Sequence, residues 1–420
     1  MNKISLDNNL RIITVPMKDS LTTTVLVLVE AGSKYETKEI NGISHFLEHM
    51  CFKGTKKRPR SIDIFSELDG IGARYNAFTG MEYTGYYAKA MPEHFDKILD
   101  VVSDIYQNQI FNSEEINKER GVIIEEINMI EDEPRRKVWD IFLELLYGDQ
   151  PAGWDTAGTK EVIKKISRED FIKYHNEHYL GKSSLVVVAG KFDEDEAVKK
   201  IEAAFANIKS GAKTPKIKTV EQQNKPEILL KHKETDQTHL VLGVRAFDIF
   251  DERKYALEVL ADILGGGMSS RLFQKIREEM GAAYYVNAGV DLLTDHGYLA
   301  ASAGIDHNKI NQVIEAILEE FKKLLEKPIE NKELRQAKDH LIGNLIIGLE
   351  TSDQLAGYYG GQEILTKETI GPKDLAKKIQ AVKAEEVMAV AKDIFQNQKL
   401  NLAIIGPFKD KEKFEKILEI

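Results

Sequence analysis

A chain of 420 residues with a single cysteine, Cys51, has no disulfide framework and cannot build a site from several thiolates. Any metal chemistry must therefore fall to histidine and carboxylates. Long apolar runs are missing as well, and a chain with 42% hydrophobic and 30% charged residues falls in neither the membrane nor the disordered class. The opening MNKISLDN, Met1 to Asn8, has no apolar stretch ahead of its first strand-like segment and no arginine-rich character. Neither a secretion signal nor a transit peptide is expected, and a cytoplasmic bacterial or archaeal location is. Positive charge is also in deficit: 58 Lys and Arg against 68 Asp and Glu leave a formal charge of -10. That balance speaks against a nucleic-acid surface and accords with basic ligands.

What is present is a repeat. SREDFIKYHNEHYLGKSSLVVVAGKFDEDEAVKKIEAAF, from Ser167, resembles KAEEVMAVAKDIFQNQKLNLAIIGPFKDKEKFEKILEI, from Lys383. Each reads as an amphipathic helix, a connector, a short apolar strand, Gly-x-Phe and a second helix. TTTVLVLVEAG pairs in the same way with QTHLVLGVRAF, and DGIGARYNAF with EEMGAAYYVN. The spacing predicts a duplicated domain, residues 1–208 and 226–420, joined by an exposed linker at 209–225 rich in Lys, Gly and Pro. Mixed strands and helices, with a hairpin in YNAFTGMEYTGYYAKA, predict an α+β fold in which a mainly antiparallel sheet packs with helices in each copy.

The copies differ at one place that bears on chemistry. HFLEHM, His45 to Met50, aligns with YALEVL, Tyr255 to Leu260; the glutamate persists and both histidines are gone. On a helix His45, Glu48 and His49 share a face, opposite Ile43, Phe46, Leu47 and Met50. Two imidazoles one turn apart can reach a single Zn²⁺, and the carboxylate between them can hold a water for attack: the inverted H-x-x-E-H arrangement. A solvated polar helix face is the plain alternative.

A catalytic zinc takes a third protein ligand and leaves its fourth position open. In EEINKERGVIIEEINMIEDEP an apolar stripe runs through Ile116, Val122, Ile123, Ile127 and Ile130, with Glu119 and Glu126 stacked two turns apart inside it and Glu125 off it. Carboxylates on a core-facing stripe are costly unless paired or bound to metal. Either Glu126 or Glu119 is thus a candidate ligand with the other supporting it, unless both serve in an ion pair.

HFLEH followed by ERGVIIEE resembles the insulinase, pitrilysin and mitochondrial processing peptidase family of zinc endopeptidases, in its short-chain branch, over essentially the whole chain. The resemblance implies one zinc per chain, with His45 and His49 as ligands, Glu126 as the third, Glu48 as general base and Glu119 as the supporting carboxylate. It implies that Asn76, Ala77, Phe78 and Thr79 form an edge strand that holds substrate as an added strand, Asn76 nearest to it. It further implies that Arg277 and Tyr284, read from composition alone as a surface arginine and a core tyrosine, act on the scissile carbonyl. Each copy pair would form half of a clamshell. Because one chain carries both sets, a homodimer is expected in which Arg277 and Tyr284 reach the partner's zinc. Expected substrates are unfolded or short extended peptides, basic ones favoured; no nucleic acid or membrane partner is expected. The alternative is an inactive scaffold or assembly subunit of the same family.

Four other signals carry blander readings. His175 and His178 in HNEH are expected to be structural; LGGGMSSRLFQK, lacking the Gly-Lys-Ser/Thr junction of a phosphate loop, reads as a flexible turn. Cys51 is expected to be packed, and KGTKKRPR, Lys53 to Arg60, to be a solvated loop.

Overall fold

The runs TTVLVLV, SLVVVAG and LNLAIIG are buried along their whole length in the strands Thr23–Val29, Ser184–Gly190 and Leu400–Gly406. Strands this apolar on both sides need cover on both faces of their sheet, and that requirement shapes the molecule. The computed structural model describes all 420 residues. They form two compact units, one of Met1–Asn128, Trp154–Ile217 and Ile347–Ile370, the other of Met129–Gly153, Lys218–Ile346 and Gly371–Ile420. None of its helices is long and apolar enough to cross a membrane.

The first unit is built on six strands, β1 (Asn2–Ser5), β2 (Arg11–Pro16), β3 (Thr23–Val29), β4 (Arg74–Thr79), β5 (Thr84–Ala90) and β6 (Ser184–Gly190), in the order β1-β2-β6-β3-β5-β4. Only β2 and β6 pair in parallel. The second unit has β7 (Glu227–His232), β8 (Thr238–Ala246), β9 (Ala283–Leu292), β10 (Gly297–Ile305) and β11 (Leu400–Gly406), in the order β7-β11-β8-β10-β9, with β7 and β11 parallel. Without β1 the two orders coincide, so the repeat is a repeat of topology. β4 and β9, which the alignment matches, each lie at a sheet edge.

Alternation along the strands feeds two cores per sheet. In the first unit Val25, Val27, Val29, Val186 and Val188 face a core with Phe46, Leu47 and Ile123. Leu26, Leu28, Leu185 and Val187 face a smaller one completed by Ala356, Tyr359 and Ile364 of the helix Ser352–Thr366. In the second unit Val241, Ala300, Ala403 and Ile405 pack on Val138, Ile141 and Phe142 of the helix Pro134–Tyr147. Each half of the chain therefore covers one face of its sheet itself and receives a helix from the other half on the second face. The compact units depart from the contiguous spans 1–208 and 226–420 at these two helices.

Segment 209–225 is mostly exposed, as its composition predicts, yet it is pinned at several points rather than free. In the first unit Lys213 pairs with Glu30 and Lys216 with Glu82, both carboxylates buried. In the second the backbone N–H of Thr219 donates to Asp295 Oδ2 at 3.0 Å. KGTKKRPR is likewise no simple solvated loop: Arg58 is 2% exposed and its guanidinium binds Glu67, Asp100 and Asp104 at 2.9, 2.6 and 2.7 Å. Five donors in a fixed fork explain why this one basic residue is buried.

Candidate metal and catalytic site

The helix Ile43–Cys51 presents its apolar side, Ile43, Phe46, Leu47 and Met50, to the first core, all at 1% exposure or less. His45 and His49 lie on its other side with ring centroids 4.7 Å apart. The helix Ser113–Asp132 buries Ile116, Ile123, Ile127 and Ile130; Val122, expected in that stripe, is 51% exposed. Ile123 takes the core position, and its neighbour is turned about 100° away from it. Glu125 is exposed, Glu126 half-buried and Glu119 buried.

These two helices bring one group together. His45 Nε2, His49 Nε2 and a Glu126 carboxylate oxygen offer ligand atoms that all lie within 4.8 Å of one another. Glu126 Oε2 is 3.6 Å from His45 Nε2 and 3.7 Å from His49 Nε2. Atoms bound to zinc at about 2.0–2.1 Å in a tetrahedron stand about 3.4 Å apart, so two imidazole nitrogens and one carboxylate at these separations fit Zn²⁺ as a donor set.

Glu119 is separated from Glu126 by its partners. Its Oε1 lies 2.8 Å from His49 Nδ1, and Lys53 Nζ sits 2.5 Å from its Oε2. A carboxylate only accepts, so Nδ1 carries the proton and Nε2 presents its lone pair toward Glu126. Burial pushes the Glu119 carboxyl up, but the hydrogen bonds from His49 and Lys53 outweigh it and hold it below its ordinary value. Burial pushes the His49 imidazole down, yet the bond to Glu119 and the charges of Glu119, Glu48 and Glu126 raise it overall.

Glu48 lies one turn after His45 and is largely buried; burial raises its pKa, opposed by a hydrogen bond from Thr79 and the charge of His49. The Thr79 hydroxyl donates to Glu48 Oε2 at 2.5 Å. Thr79 ends β4 on the side shared by Tyr75 and Ala77, both packed on the first core, while Asn76 and Phe78 are exposed on the other side. Sequence reasoning placed Thr79 against substrate and missed this bond. It also missed Lys53, which lies just past the end of that helix at Cys51 and pairs with Glu119 on another helix.

Arg277 and Tyr284 lie in the second unit. Arg277 is in the π-helical segment Phe273–Glu279, exposed, over the Phe273 ring, and its Nη1 donates to Tyr284 O at 3.0 Å. Tyr284, expected in the core on composition, is 64% exposed on the edge strand β9. An edge strand with one solvated face offers alternate positions to water, and Tyr284 occupies one.

The set-aside motifs are structural. His175 and His178 are 5% and 3% exposed, and burial lowers both imidazoles to about 4. Cys51 is buried and its thiol is pushed up to about 12, first of all by burial. The glycine turn is tight where flexibility was expected: a Cβ on Gly265 would stand 2.1 Å from the Ala288 backbone nitrogen.

Comparison with known proteins identifies the family of the chain. Residues 11–160 match the model for insulinase (peptidase family M16), and residues 165–341 that for the peptidase M16 inactive domain. An uncharacterized zinc protease of Streptomyces coelicolor is 33% identical over 98% of this chain and 91% of the relative. The chain belongs to peptidase family M16. Another M16 relative, the uncharacterized zinc protease YmxG of Bacillus subtilis, is 34% identical over 97% of this chain and 98% of its own length. A protease from Helicobacter pylori has the same fold, with a TM-score of 0.90 at 23% identity, over 97% of this chain and 99% of that one. The inactive-domain match, which begins inside the first copy, includes the region in which Tyr255 and Val259 stand at the histidine positions of this M16 chain.

Proposed function

We propose that the protein is a zinc-dependent endopeptidase acting on unfolded or short extended peptides. The observation that carries this reading is the donor set of His45, His49 and Glu126 within 4.8 Å, with Glu48 on the same helical turn and held by Thr79. A zinc ion held by that set supplies Lewis acidity toward a peptide carbonyl and a water. Glu48 takes the proton of the attacking water and returns it to the leaving amine. Thr79 fixes the carboxylate that does so, and Glu119 fixes the ring of His49.

Substrate main chain pairs with the free edge of β4, the terminal strand of its sheet, at Asn76 to Thr79. Exposed Arg277 and Tyr284 donate hydrogen bonds to the scissile carbonyl held by a second copy of the chain, so the active form is a homodimer. The acidic balance favours basic peptides. The test is metal content by elemental mass spectrometry together with cleavage of a quenched fluorescent basic peptide library, for wild type and Glu48→Gln. About one zinc per chain in both, with hydrolysis by wild type alone, is the expected result. Wild-type protein that stays inactive when loaded with zinc returns the second reading, an inactive scaffold subunit, which the inactive-domain match of the second copy favours. Activity in a proven monomer refutes the trans role of Arg277 and Tyr284.

A further inference from the structure

The helix that carries His45, Glu48 and His49 cannot be capped locally. Its N-cap residue is Gly42, at φ 97°, with no side-chain cap. A side chain there would be strained, and its Cβ would stand 2.6 Å from Ala157 O. The free N–H groups of the first turn must find an acceptor elsewhere.

They find Glu36, six residues upstream and 1% exposed. Its Oε2 accepts from the Gly42 N–H at 2.7 Å and from Asn41 Nδ2 at 2.9 Å, while its Oε1 accepts from the Ser44 N–H at 2.8 Å. The Ser44 hydroxyl, 2.7 Å from the Tyr174 hydroxyl, adds a further bond to the same carboxylate. Both oxygens are thus used on three of the four residues that lead into His45. A carboxylate at this end also meets the positive end of the helix dipole.

We propose that Glu36 is a positioning residue for the metal-binding helix: by capping Gly42 and Ser44 from outside the helix it fixes the turn that aims His45 at Glu126. The link to metal rests on the reading of His45, His49 and Glu126 as ligands. The hold on the helix does not.

The experiment uses the full chain with Glu36→Gln, which keeps the shape but turns one acceptor into an NH₂ facing an N–H. Amide hydrogen exchange of metal-free protein should show protection of peptides spanning 41–50 falling about tenfold, with β3 and β6 unchanged. Zinc affinity, read by competition with a chromophoric chelator, should fall about 10- to 100-fold, as for other outer partners of metal ligands, and the visible spectrum of the Co²⁺ form should change. Thr24→Val, which removes the buried bond of Thr24 to Ser352 in the same unit, should leave the 41–50 peptides and zinc affinity as they are. Asn41→Ala removes one donor to Glu36 and should give a weaker loss in the same peptides, which keeps the test usable if Glu36→Gln does not fold.

Unchanged protection at 41–50 in Glu36→Gln overturns the proposal. Lost protection with unchanged zinc affinity overturns the link to His45 and leaves a plain cap. Wild-type protein that takes up no zinc sinks the peptidase reading instead, while the exchange data still decide whether Glu36 holds the turn.

Discussion

The two copies of the fold carry the same helix with different chemistry. Ile43–Cys51 bears His45, Glu48 and His49, while Lys254–Gly265 bears Tyr255, Glu258 and Val259 at the aligned positions. Counted from the first residue of the helices Ser113–Asp132 and Asn331–Ile347, Glu126 falls on Asn344 and Glu119 on Ala337. In the hairpin alignment Thr79 falls on Ala288. The second copy thus has no counterpart of the proposed ligands His45, His49 and Glu126, of Glu119 or of the Thr79 hydroxyl, yet keeps a glutamate at the position of Glu48. Burial raises the carboxyl of Glu258 to about 7, and Lys254 only partly offsets it. Both copies bury a carboxylate there, and only the first has a donor set such as His45, His49 and Glu126 beside it.

The sharpest way to break that comparison is to make the first copy resemble the second. Glu48→Gln should lower kcat by about 10³-fold or more, within or beyond the range for a lost general base, with zinc content unchanged. His45→Ala and His49→Ala should lose metal and activity together, and elemental analysis beside a peptide assay separates the two classes.

Acid should act on the first unit through His175 and His178. Each is neutral when folded, with a value of about 4 against 6.5 for the free group. As pH falls the unfolded chain binds the proton first, so their contribution is complete above pH 6.5 and is lost between 6.5 and 4. The full loss is roughly 3 kcal/mol per histidine. Urea titrations across that window should show it, and His175→Phe should flatten the slope by about half.

Next in size is the orientation of His49. Glu119→Gln or Lys53→Met should weaken zinc binding about 10- to 100-fold, read by chelator competition, with the fold retained by circular dichroism. Smallest is Thr79→Val, which gives the first copy a side chain without the hydroxyl, as at Ala288. It should lower kcat about tenfold, in line with loss of one hydrogen bond to a charged group, without changing zinc content.

Much of this was legible in the residues because the relevant signals are local. The H-x-x-E-H spacing defines a helix face, the strand repeats define two sheets, and the hairpin pairs β4 with β5, while the edge position of β4 comes only with the family resemblance. What was not legible depends on partners distant in sequence. Periodicity shows that Val138, Ile141 and Phe142 share an apolar face but not which sheet receives it, so the exchange of helices was hidden. The same holds for Arg58, whose carboxylates come from two other helices, and for Glu36, whose role follows from a positive φ at Gly42 that no composition reveals. Composition alone reads Tyr284 as core because tyrosine is buried on average, and only the family resemblance moves it to an exposed, substrate-facing place.

The exchanged helices also set an order on synthesis. When β6 has left the ribosome, the first sheet has all six strands but Leu26, Leu28, Leu185 and Val187 still lack the helix that covers them. At about 5–20 residues per second, the interval from Gly190 to Thr366 is on the order of ten to thirty seconds. For that time the nascent chain carries an apolar sheet face with nothing of its own to hide it. The first unit is complete only once the chain has been made through Thr366.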